Sequence, residues 1–388
     1  MASLIKPIVI VGGGPVGATF ALSLPKNQPV TLLEAREQGA SHGDARALAL
    51  SHNSRLILEK MGIWKVLSND IVAINTIHIS QKGSFGRTVL KAHEHDLPSL
   101  GTVLPYGKLN AALSTEIAKR DNIHTLFEAT AEQISPAEPQ AKVSFTQQNQ
   151  THTLESPLVV VADGGRGLNE IAGIQKTVKE YGDDALVAKV RTQLPHNHIA
   201  YERFTPQGPM ALLPNGDDQY NYSLVWTGKK AYIDNLLALC EADLLQALHA
   251  AFGDRVGQFF AISKPLSFPL RHAVLKPSMA AHVAIIGNAA QTMHPVAGQG
   301  FNVGMRDAIS LAQAIQNHTA LGSQNMLQNY QQTRVRDTRG GLLFTDFLVN
   351  VFGSELIGVS GLRGAGLGLL DIIKPAKKLL VDRMSFGA

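Results

Sequence analysis

The sequence predicts an α/β fold in which a parallel sheet is interrupted twice by a second, mainly antiparallel sheet. Three observations carry that reading. Ile8–Val11 is a β-branched run between Pro7 and Gly12 that leads straight into a glycine loop, the pattern of a buried parallel strand. Two later apolar runs, 158–162 and 283–286, end in Asp163-Gly164 and Gly287, so strands of one sheet come from three separated parts of the chain. Between them lie alternating segments such as Thr76-Ile77-His78-Ile79 and the runs 185–190, 210–213 and 222–226, as expected of half-buried strands.

The elements follow in order. A small-residue apolar helix is expected from about Gly14 to Leu24, stopped by Pro25, with the second strand at 30–33. The parallel domain takes residues 1–71, 101–183 and 271–340, and the inserted substrate sheet takes 72–100 and 184–270. A helix over 233–252 belongs with the insert and carries Cys240 on its apolar, buried face. Residues 341–388 form a C-terminal helical region.

Composition excludes several classes. The 388 residues are 45% hydrophobic and 17% charged, which makes a folded protein larger than one ordinary core. A net charge of +4 with no Lys/Arg block is no nucleic-acid footprint. One cysteine rules out a disulfide framework, a Cys-based zinc site and a dithiol pair, and points to a cytoplasmic setting. No targeting segment is expected before Ile8, and no window of about 18 uncharged apolar residues is present.

Two motifs carry the chemistry. Gly12-Gly13-Gly14-Pro15-Val16-Gly17 fits G-x-G-x-x-G. The first glycine makes the turn, the second lets backbone approach a pyrophosphate, and the third packs helix onto strand. Glu34 ends the second strand, where a carboxylate accepts a ribose hydroxyl. Strand, loop, helix and acid together mark a Rossmann-like dinucleotide site. The second motif runs from Gly287-Asn288-Ala289-Ala290-Gln291 through His294-Pro295 to Gly298-Gln299-Gly300-Phe301-Asn302 and Asp307. Gly-Gln-Gly opens a helix whose N-terminus would stabilise the charge of a reduced flavin ring. His93-Glu94-His95 lacks helical metal-ligand spacing and is expected to be a solvated loop.

These paired elements resemble the class A flavoprotein monooxygenases, aromatic hydroxylases related to p-hydroxybenzoate hydroxylase, and within them the ubiquinone-biosynthesis hydroxylases. The resemblance spans nearly the whole chain and includes 44–50, 62–64, 201–209 and 223–226. Most of that superfamily has Asp where this chain has Asn288, and His where it has Gln291. The 2-polyprenyl-6-methoxyphenol hydroxylase branch resembles the chain at both positions.

The resemblance implies roles. Gly12, Gly14 and Gly17 would hold the FAD pyrophosphate, Glu34 the adenosine ribose, and Arg46 phosphate or ribityl oxygens. Asp163 would sit at a turn near the pyrophosphate, Asn288 on the ribityl chain, and Lys108 near the flavin. Gly298, Gln299, Gly300, Phe301 and Asn302 would line the isoalloxazine, with Pro295 facing substrate. No side chain is obligatory as acid or base; His294 and Tyr201 are the candidates for helping to ionise a phenol. The implied reaction hydroxylates a polyprenylated phenol through a flavin C4a-hydroperoxide. O2 is co-substrate, and NAD(P)H or another external electron donor is reductant. A prenyl-lipid carrier shares the fold, but the intact Gly-Gln-Gly loop argues for an enzyme.

Such a substrate resides in membrane. Leu342, Leu343, Phe344, Phe347, Leu348, Val351 and Phe352 fall at helical spacing, and Lys374, Lys377, Lys378 and Arg383 flank Leu379-Leu380-Val381. Peripheral contact with the inner face of the membrane is therefore expected. The alternatives for this surface are packing on the FAD domain, a homo-oligomer contact or association with other ubiquinone-biosynthesis proteins.

Overall fold

The computed structural model describes residues 6–84, 86–165, 171–216, 218–292, 299–335, Asp371 and 373–387. Its first sheet runs in the order Met279–Ala280, Val283–Ile285, Val159–Val161, Ile8–Val11, Val30–Glu34 and Ile123–Phe127. All pairs are parallel except the edge pair Met279–Ala280 with Val283–Ile285. Val9 lies between Val159 and Thr31.

Ile8–Val11 is at most 5% exposed because both faces of this sheet are covered. Ile8 and Ile10 pack with helices α1 (Pro15–Ser23), α3 (Tyr106–Ala118) and α6 (Gln299–Gln316) through Phe20, Leu113 and Leu311. The shorter helix α2 (His52–Lys60) joins this layer through Ile57 and Leu58. Val9 and Val11 point the other way, onto Val143 and Phe145. Burying each such side chain contributes on the order of 1.5–3 kcal/mol. Val143 and Phe145 belong to a three-stranded antiparallel sheet, Thr130–Ser135, Ala141–Gln147 and Gln150–Ser156, that sequence reasoning did not anticipate.

The inserted sheet has nine strands and is mainly antiparallel. Its spine is the long strand Gln175–Thr192, paired with Asn221–Lys229 on one side and Leu266–Lys276 on the other. Gly208–Pro214 and Ile199–Thr205 follow, and Ile199–Thr205 pairs in parallel with Thr76–Gln81. Helices α4 (Lys230–Leu237) and α5 (Glu241–Phe252) cover one face with Ile233, Leu248 and Phe252 on Leu212, Leu224 and Trp226. The opposite face meets two other elements. Ala200, Ile77 and Leu213 pack with Ala47, Ile74 and Val103 of the small sheet Ala47–Leu50, Val72–Ile74 and Gly101–Pro105. Phe204, Ile79 and Leu90 pack with Leu380 and Val381 of the C-terminal helix α7 (Lys374–Phe386).

Two expectations are corrected here. The helix expected over 233–252 is two helices, because the backbone extends at Cys240 (φ −67°, ψ 163°) to N-cap α5. Cys240 is accordingly exposed, and its thiol donates to Asp243 Oδ2 at 3.1 Å rather than packing in a core. Also, not all of the basic C-terminal segment faces outward. Leu380 and Val381 are buried on the sheet, and Lys377 is paired with Glu94 at 3.1 Å and Asp371 at 3.2 Å. Glu94 itself lies in the one-turn 3-10 helix Ala92–His95. The apolar stretch 342–352 lies outside the described residues. Among the described residues, no helix is long and apolar enough to cross a membrane.

Candidate functional site

A cavity of about 510 Å3 opens at the carboxyl ends of the parallel strands, lined by Gly12, Gly14, Glu34, Arg46, Asp163 and Asn288 among others. That is where an open α/β sheet binds its ligand, and the volume is in the range of cofactor pockets. Gly12 turns the chain with φ +106°, and a Cβ there would lie 2.6 Å from the Ala162 carbonyl oxygen. The loop feeds α1, whose N-cap Gly14 offers no side-chain cap and whose first turn has no acidic residue. Its first N–H groups are left to meet an anion.

Glu34 is 9% exposed and organises the ribose end. Its Oε2 accepts the Gly13 N–H at 3.0 Å, and its Oε1 accepts from Arg36 N at 3.0 Å and Arg36 Nε at 2.7 Å. Hydrogen bonding to Glu34 holds the Arg36 guanidinium above its ordinary range. A fourth bond, from Arg36 Nη2 to Oε2 at 3.3 Å, fills the carboxylate's acceptor sites, so a ribose hydroxyl would take the place of one arginine contact. Arg46 lies across the cavity with its guanidinium 5.3 Å from the Tyr106 ring centroid, gripped by Asp44 at 2.9 Å. Arg36 and Tyr106 were not singled out from the sequence; Glu34-x-Arg36 at a strand end was the available signal for the first.

On the far wall the short 3-10 turn Gly287–Ala289 carries Asn288. Its amide oxygen would be 3.7 Å from a Cβ on Gly300, so Asn288 and the start of α6 face one another. Asp163 accepts the Gly165 N–H at 2.8 Å, which shapes the third loop. Phe301 also lines the cavity. Beside these loops, Gln291 is 2% exposed and neither amide atom has a hydrogen-bond partner among the described residues. Glycines that a Cβ would fill, uncapped N–H groups and this orphaned amide together fit FAD.

The structure therefore brings together Gly12, Gly14, Gly17, Glu34, Arg46, Asp163, Asn288, Gly300 and Phe301. It does not bring Lys108 to the cavity lining; Lys108 is 55% exposed and pairs with Asp70 at 3.0 Å. The Asn302 side chain is committed elsewhere. Its Oδ1 accepts from Ser51 N at 2.8 Å and Ser54 Oγ at 2.7 Å, and its Nδ2 donates to the Ala49 carbonyl at 2.9 Å. That amide bolts α6 to the strand Ala47–Leu50 and to α2. Tyr201 packs edge-on against Phe252 at 5.5 Å, on the sheet face that α4 and α5 cover, and burial pushes its hydroxyl up. His294, Pro295 and Gly298 lie outside the described residues, as does the side chain of Gln299.

Fold and site together define a flavin-binding oxidoreductase architecture, and comparison with known proteins agrees. The FAD binding domain family model matches residues 6–340, and the chain belongs to that family, among the class A flavoprotein monooxygenases. Ubiquinone hydroxylase UbiL of Rhodospirillum rubrum is 30% identical across 98% of this chain and 89% of its own. The 3-demethoxyubiquinol 3-hydroxylase of Escherichia coli is 29% identical across 85% of each chain. An uncharacterized Synechocystis protein, slr1300, is 31% identical across 97% of this chain and 92% of its own. Among solved structures, p-nitrophenol 4-monooxygenase PnpA of Pseudomonas putida shares the fold with a TM-score of 0.79. It is 16% identical and is covered over 96%, against 97% of this chain.

Proposed function

We propose that this flavoprotein hydroxylates the aromatic ring of a polyprenylated phenol in ubiquinone biosynthesis, with 2-polyprenyl-6-methoxyphenol as the substrate. The carrying observation is the contact between the two halves of the molecule. Ala47 lines the FAD cavity and also packs on Ala200, Ile77 and Leu213 of the inserted sheet. An apolar sheet face thus abuts the flavin site, as a ring substrate with a hydrocarbon tail requires. The ubiquinone hydroxylases among the relatives support the same substrate class, and Asn288 with Gln291 supports the methoxyphenol branch.

Bound FAD, reduced by NAD(P)H or another external donor, supplies the activation of O2. The chain's own residues do the rest. The glycine loop and the α1 N-terminus bind the pyrophosphate, Glu34 orients the ribose, and Arg46 over Tyr106 holds the cofactor's middle. Asn288 and the start of α6 face the ring end, and the apolar sheet excludes water from the reacting carbon. Exposed Lys374, Lys378 and Leu379 on α7 provide a surface for peripheral contact with anionic lipid.

Deletion of the gene tests this reading. Mass spectrometry of quinone precursors is expected to show a prenylated phenol that lacks one ring hydroxyl, restored by the intact chain. Unchanged quinone and precursor pools would reject it.

A further inference from the structure

Glu202 is an unused carboxyl in an unusual place. Strand alternation puts it on the opposite face from Tyr201, in line with Ala200 and Phe204. Ala200 packs on Ala47, which walls the FAD cavity, and Phe204 packs on Leu380 and Val381 of α7. Its register neighbours are apolar on both sides, Ile79 on one strand and Ala211 on the other.

No hydrogen bond or ion pair holds the carboxyl among the described residues. Desolvation raises its pKa from the ordinary 4.5 to about 8. Yet the residue is not fully covered and keeps an intermediate exposure. The carboxyl is thus crowded by its neighbours while part of the residue stays accessible. An unpartnered polar group of that kind costs stability unless a ligand satisfies it.

We propose that the Glu202 carboxyl anchors the hydroxyl of the aromatic substrate, its oxygen accepting the phenolic O–H. It is a polar point between apolar register neighbours on the sheet face that meets the flavin half of the molecule. The hydrogen bond fixes which way round the ring enters and so which ring carbon is presented for hydroxylation. This assignment rests on the phenol reading above and deepens it, since the tail needs only apolar surface while the ring needs one directional contact.

The test uses the FAD-loaded full chain with two probes, 2-prenylphenol and its methyl ether, and reads binding from the flavin absorbance change. Wild type is expected to bind the phenol about tenfold or more tightly than the ether, the loss that follows when a buried polar group finds no partner. Glu202→Gln keeps an acceptor oxygen and keeps that preference. Glu202→Leu loses it, binds both probes alike, and releases more H2O2 per reductant consumed. Folding provides the control. The folded chain holds the Glu202 proton more tightly than the unfolded chain, so this group costs wild type stability as pH rises from about 4.5 to about 8. The leucine variant is therefore at least as stable as wild type at pH 8, and its loss of preference is not misfolding. A Glu202→Leu chain that still prefers the phenol, or a wild type that binds both probes equally, overturns the anchor alone. A wild type that holds FAD but neither binds nor hydroxylates the phenol overturns the substrate reading and the anchor with it.

Discussion

A Gly17→Ala chain is expected to purify without its yellow cofactor. The methyl group would sit 2.0 Å from the Gly12 carbonyl oxygen and 3.3 Å from the Ala162 side chain. The first contact is with the turn that delivers α1 to the pyrophosphate and the second with the end of the neighbouring strand Val159–Val161, so relief comes only by moving the loop or the helix. Overpacking of this kind costs about 1–3 kcal/mol. Borne by the loop, the upper end of that range weakens FAD binding on the order of 100-fold. Fluorescence titration of the apo-protein with FAD measures it. Gly43→Ala is the matched control, because a Cβ there meets nothing within 4 Å; it should bind FAD like wild type. Equal affinity in the two variants would remove the glycine loop from the cofactor site.

The second large effect is on stability. Asp307, 2% exposed on α6, accepts the Gly287 N–H at 3.0 Å and lies 3.4 Å from Arg334 Nε, itself 4% exposed. Nearby, the buried Tyr330 hydroxyl donates to the Ile285 carbonyl at 3.3 Å. Asp307→Ala leaves the Arg334 guanidinium in the core without this partner and frees the turn that carries Asn288. Breaking one side of a buried pair costs about 3–5 kcal/mol, read as a lower denaturant midpoint. FAD affinity should fall as well, since Asn288 and the start of α6 lose their mutual register. The exposed pair Asp234 with Lys230 at 2.9 Å on α4 makes the contrast; Asp234→Ala should leave unfolding and FAD binding unchanged.

The parts of this structure that were legible in the sequence share one property: they are written in local pattern. Ile8–Val11, the glycines and Glu34 fall within 27 residues of one another, and only one geometry joins such a strand, turn and helix. The start of α6 at Gln299 was legible for the same reason. The sheet 130–156 was not. Its strands are polar along most of their length, and few of their residues reach the core: Ala141, Val143 and Phe145 of the central strand with Ala131 and Ile134 of its neighbour. The broken helix at Cys240 was hidden because α4 and α5 present apolar residues to one sheet and so continue a single helical period across the gap. Side-chain commitments were the least legible. Asn302 stands in the flavin motif but spends its amide on Ser51, Ser54 and Ala49, 251 positions or so away in sequence. Tyr201 drew notice as the residue with catalytic chemistry, while the adjacent Glu202 faces the flavin half. The alternation in Ala200–Phe204 held that information, but only tertiary packing says which face is which.

Incorporation of isotopically heavy O2 tests the central claim most directly. The FAD-loaded chain, supplied with a reductant and a 2-polyprenylphenol, is expected to place one heavy oxygen atom on the ring, with none drawn from water. A ring product whose new oxygen comes from water, or reductant oxidation that yields only H2O2 at every substrate concentration, would contradict it.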